Sequence, residues 1–140
     1  MIAENLTFDK TYNYNTLKTG ISLPVILKSG ENFIEVHAKL DIGSSHCIFE
    51  RQHGELLEIN IESGEPTTIG TATGSFSAFQ HRIEISTFGF MWEANVCFIA
   101  EEGIKRNILG RIGWLDHVKL GLVDYEGKLL LSKYDEELIS

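Results

Sequence analysis

Ala38-Lys39-Leu40-Asp41-Ile42-Gly43-Ser44-Ser45-His46-Cys47-Ile48-Phe49 is the stretch from which the remainder of the chain can be placed. Just upstream, Phe33 to Leu40 alternates apolar and polar residues, the period-2 signature of a half-buried strand. That strand runs into Asp41. Gly43 permits a tight turn, Ser44 and Ser45 can hydrogen-bond locally, and an apolar run resumes at Cys47. An acid at the end of such a strand, followed by a glycine turn, is poised for chemistry rather than simply solvated. The other reading is an ordinary strand–turn–strand corner, and these residues alone leave both open.

A second stretch, Asn107-Ile108-Leu109-Gly110-Arg111-Ile112-Gly113-Trp114-Leu115-Asp116, joins a short apolar run to a Gly-Arg step and an amphipathic segment. Together the two resemble the retropepsin-like aspartic proteases, the family of the retroviral proteases. That family's pattern is two apolar residues, Asp-Thr/Ser-Gly-Ala, a glycine-rich flap, and an Ile-Leu-Gly-Arg type step near the end. Leu40 to Ser132 is similar, more narrowly, to small bacterial stand-alone members.

The resemblance implies an all-β domain with a retropepsin-like closed β-barrel (the acid protease fold), a flap hairpin and one or two short helices. It makes Asp41 the catalytic residue and Ile42, Gly43, Ser44 and Ser45 its loop. Gly70, Thr71, Ala72, Thr73, Gly74 and Ser75 become the flap that contacts substrate, and Gly110 and Arg111 structural supports. The implied partners are a second copy and a peptide or protein substrate, with no cofactor and no metal. Two positions depart from the pattern. Ile42 stands where the family has Thr or Ser, and Ser45 where many relatives carry an acid.

Composition agrees with one globular domain. At 140 residues, 43% hydrophobic and 23% charged, the chain can bury a real core but not two. A net charge of −8 argues against nucleic acid or an anionic membrane as partner. No apolar run approaches the roughly 18 residues of a spanning helix, and Met1 to Asn5 has no secretory character. Cys47 and Cys97 lie in apolar runs, which reads as buried thiols in a reducing cytoplasm, although spacing alone does not exclude a disulfide.

In chain order, residues 1–18 read as an extended polar arm, 19–134 as the domain and 135–140 as an acidic tail. Ile21, Leu23, Val25 and Leu27 alternate as a strand, with Pro24 marking a sheet edge, and Ser29 to Asn32 turns into its hairpin partner. Glu50 to Ile59 predicts a short helix interrupted by Gly54. Glu62-Ser63-Gly64 is a turn and not a second catalytic acid. Pro66 to Thr71 and Phe76 to Thr87 predict a hairpin around Ala72 to Ser75, with Gly89 to Ala100 as the next strand. Gly110 to His117 predicts a short helix, and 118–124 with 128–132 a final hairpin.

Aspartic proteolysis needs two carboxylates about 3 Å apart sharing a proton. The chain has a single acid of this kind, so the pair must form across the two-fold axis of a homodimer, one Asp41 from each subunit. The five histidines show no zinc spacing, no Gly-x-Ser-x-Gly elbow or phosphate loop occurs, and both cysteines look buried. In the family, the hydroxyl after the aspartate bonds across the axis, which Ile42 cannot do. Arg111, lacking an acid at Ser45, calls for Glu50 or a carboxylate of the second subunit. Two functions follow: a homodimeric aspartic endopeptidase, or a dimer of the same fold with weak or no activity that binds peptides or acts as a scaffold.

Overall fold

The computed structural model describes residues 2–134; the acidic tail expected at 135–140 lies outside the described residues. Ten strands carry the fold: β1 Lys10–Asn13, β2 Ser22–Ser29, β3 Asn32–Leu40, β4 Ile48–Phe49, β5 Glu65–Thr71, β6 Gly74–Thr87, β7 Phe90–Ile99, β8 Ile108–Leu109, β9 Val118–Val123 and β10 Lys128–Lys133. Among the described residues the one α-helix is α1, Arg51–Leu56. The all-β class expected from the sequence is what the chain forms.

The main sheet has the order β2-β3-β8-β4-β7-β6-β5, and β2 also pairs with β6, so the hydrogen-bonded order turns back on its start. Leu23, Val25 and Leu27 of β2 are buried because alternate side chains of a strand share one face. They pack with Val36, Ala38, Phe49, Ile83, Ile85, Phe98 and Leu109 in one core. Pro24 sits where β2 pairs with β3 alone; the pairing with β6 covers only Ile26 to Lys28, so β2 is an edge at one end only. A second sheet, β1-β10-β9, closes over that core with Leu129 and Leu131. Tyr12 of β1 stacks on Phe88 at 5.0 Å, which couples residues 10–13 to the body of the fold.

Two expected helices come out differently. α1 runs through Gly54 instead of being interrupted there, and glycine is required at this position because Ile61 and Phe98 leave no room for a Cβ. Residues 110–117 form a chain of turns, with 3-10 geometry only at Leu115–His117. Gly113 takes φ +101°, which no α-helix allows, and its N–H is caught by Asp116 Oδ1 at 3.0 Å. The hairpin turn between β5 and β6 is also tighter than expected. It is the two residues Ala72 and Thr73, with Thr71 opposite Gly74. No helix among the described residues is long and apolar enough to cross a membrane.

Candidate active site

Strand β3 delivers Asp41, and the short strand β8 determines what the following loop can do. β8 lies between β3, to which it is parallel, and β4, to which it is antiparallel. The chain from Asp41 to Cys47 must therefore pass over the end of β8 to reach β4. Its path is held from inside the same subunit. Asp41 N donates to Leu109 O at 3.0 Å, Arg111 N to Ser44 O at 2.9 Å and Ile112 N to Ser45 O at 3.0 Å. Gly110 N donates to Cys47 Sγ at 3.4 Å, and the Ser44 hydroxyl to His46 O at 2.8 Å. Gly110 is obligatory there, because the carbonyls of His46 and Ser44 occupy the space a Cβ would need.

Within the loop, Gly43 N donates to Asp41 Oδ1 at 3.0 Å and Ser44 N to Asp41 O at 3.1 Å. The carboxylate is thus oriented by its own turn, while Oδ2 has no hydrogen-bond partner among the described residues. Asp41 is exposed in the single chain, in contrast to the sheltered acid expected at a strand end. β3 ends at Leu40, and the loop lifts the next three residues off the sheet. Ile42 is 65% exposed and Ile112 49% exposed, both unusual for isoleucine.

These two isoleucines line a groove of ≈ 580 Å³ with Ser45, Arg111, Leu115 and Asp116. Arg111 does not reach Glu50. That carboxylate is taken by Asn107 Nδ2 at 2.7 Å and Gln52 Nε2 at 2.8 Å, and Glu50 N in turn donates to Asn107 Oδ1 at 3.2 Å. Among the described residues Arg111 has no ion pair. A second cleft, of ≈ 320 Å³, separates Gly43 to His46 from Thr68, Ile69 and Gly70 of β5. Of the hairpin residues singled out in the sequence, Gly70 borders this cleft. Thr71 to Ser75 form the tip, where Thr71 Oγ1 donates to Gly74 O at 2.9 Å.

Sequence reasoning missed Ile112, Asp116, His46 and Thr68 as cleft residues. His46, Ile112 and Asp116 carried a signal, because they lie within the two motif stretches, whereas Thr68 carried none. Both cysteines are unpaired and buried. Burial pushes the Cys47 thiol up to about 12 and the Cys97 thiol up to about 11, which disfavours the thiolate that nucleophilic chemistry would need. No group of three or more His, Cys, Asp or Glu side chains among the described residues could hold a metal ion.

A sheet turned back on itself, with an Asp-x-Gly loop carried over a Leu-Gly-Arg strand end, is the retropepsin-like aspartic protease fold. Solved structures agree. The chain superposes on a retropepsin-like aspartic protease from Rickettsia conorii with a TM-score of 0.63 at 15% identity, covering 88% of this chain and 97% of that one. On EIAV protease complexed with an inhibitor, the TM-score is 0.55 at 22% identity, covering 71% of this chain and 88% of that one. No family model and no curated protein matches the sequence. At such identities the likeness is one of fold, and function has to be argued from the residues.

Proposed function

We propose that the protein is a homodimeric aspartic endopeptidase in which Asp41 of each subunit supplies half of the catalytic pair. The observation that carries this reading is the setting of Asp41. An oriented, exposed carboxylate with one oxygen free is followed in the chain by Ile42, which lines an open groove with Ile112, both isoleucines being exposed. A second copy would cover that apolar surface. Arg111 and Asp116, on the same groove, give it self-complementary charge, since a two-fold axis lets Arg111 of one copy meet Asp116 of the other.

With the two carboxylates about 3 Å apart, like charge keeps one protonated. The ionised one takes a proton from water as it attacks the peptide carbonyl, and the protonated one polarises that carbonyl. The tetrahedral diol then collapses as a proton passes to the leaving amine. The hairpin ending at Ala72-Thr73 would close over the peptide. Buried, unpaired thiols support a reducing, cytoplasmic setting.

Ile42 favours a second reading, a dimer that binds peptides without cutting them, because it cannot form a hydrogen bond across the axis. Against this, the loop is already braced within one subunit by residues 109–112. Sedimentation together with cleavage of a peptide library tests both. A dimer whose cleavage is blocked by a statine peptide supports the endopeptidase. An inert dimer that still binds the statine peptide supports the module, and an inert monomer overturns both.

A further inference from the structure

The cleft between the Asp41 loop and β5 has a chemical character of its own. Its apolar lining is Ile48 and Ile69, which are 3% and 8% exposed. Around them stand Ser45, His46 and Thr68, whose side chains make no hydrogen bond among the described residues. The Ser44 hydroxyl is already committed to His46 O. Of the residues that line the cleft, His46 alone has an ionisable side chain, and none is acidic. An unoccupied set of donors over an apolar floor is the complement of a short aliphatic stem ending in a carboxylate, and the one anion at its border, Asp41, lies on the Gly43 side, where its Oδ1 is held by Gly43 N at 3.0 Å.

We propose that His46, with the hydroxyls of Ser45 and Thr68, forms a subsite that selects an acidic side chain, glutamate in length, near the scissile bond. The proposal rests on the endopeptidase reading. The floor of Ile48 and Ile69 takes the methylenes, and the three donors take the carboxylate. Gln fits the same space but forgoes the charge-assisted bonds, which are roughly twice as strong as neutral ones. The chain's net charge of −8 opposes an acidic substrate little, since in ordinary buffer the repulsion between exposed charges is screened beyond about 10 Å.

The test uses the full chain and statine-centred hexapeptides that place Glu, Gln or Ala at each flanking position in turn, with affinity read by calorimetry. At one position Glu should bind about tenfold tighter than Gln. His46→Leu should abolish that preference, bringing the Glu and Gln peptides within about twofold of each other. His46→Asn, which keeps an N–H donor, should retain part of it. Thr68→Val, on the opposite wall, should weaken the preference independently, so a folding defect in one variant does not decide the outcome. A Glu preference absent everywhere, or undiminished in His46→Leu, overturns the subsite. If the Ala peptide binds and is cut in its non-statine form, that failure touches the subsite alone. If no peptide binds at all, the endopeptidase reading fails and the subsite with it.

Discussion

Gly110 is packed directly against the main-chain carbonyl of His46, so the residue that follows β8 and the loop that presents Asp41 share a contact with no room for a methyl group. The obstacle is backbone and cannot rotate away. Gly110→Ala should cost at least about 1–3 kcal/mol, as overpacked cores do. It should also displace the Asp41 loop, lowering activity by more than the loss of folded protein accounts for. Urea unfolding and kcat measured side by side check this; a variant as stable and active as the parent would contradict the geometry.

Asp41→Asn should remove peptidase activity and leave the fold unchanged, because the side chain is exposed and the Asn Oδ1 can accept the same hydrogen bond from Gly43 N. The dimer should hold or tighten at neutral pH, since the ionised carboxylate and the cost of keeping its twin protonated both leave the axis. Cleavage by the purified Asn variant at the parental rate would assign any activity to another site.

Ile42→Lys should split the dimer while changing the subunit's own stability by less than about 0.5 kcal/mol, the usual range for an exposed position. Ile42→Thr is the finer test. Each restored hydrogen bond contributes roughly 0.5–1.5 kcal/mol, against about 0.8 kcal/mol per CH₂ no longer buried across the axis. Affinity should therefore move little, and activity should rise because the carboxylates are held more rigidly. A weaker dimer with no activity would favour the non-catalytic module.

Residues 70–76 should exchange their amide hydrogens quickly in the free protein and slowly with a statine peptide bound. The tip is exposed and makes few apolar contacts, so local opening costs little. Equal protection in both states would identify an ordinary surface hairpin.

Acidification should destabilise the fold in two stages. Burial lowers His53 from its usual 6.5, with Glu50 opposing, so the unfolded chain takes up this proton first and stability declines as pH falls below that value. The Arg51 guanidinium, bonded to both Glu62 oxygens at 2.6 Å, holds that carboxyl below its usual 4.5. Its contribution is present above 4.5 and is lost as pH falls further toward its folded value. His53→Gln should flatten the first stage and leave the second, as read from urea midpoints across the pH range.

By itself the sequence determined the all-β class and the positions of the long strands, because a sheet with one buried face writes its period of two into each strand. It also singled out Asp41 as the candidate acid, since Asp41-Ile42-Gly43 and Leu109-Gly110-Arg111 are local strings. Tertiary structure alone decided how those strings meet. Nothing in Ile108-Leu109 announces a two-residue strand wedged between β3 and β4, and nothing in residues 110–117 announces that Gly113 will prevent a helix. Likewise Asn107 takes Glu50 and leaves Arg111 facing the groove, and His46 faces Thr68 across a cleft. Such contacts join residues more than twenty positions apart, and a pairing over that distance leaves no periodic trace in the chain that makes it.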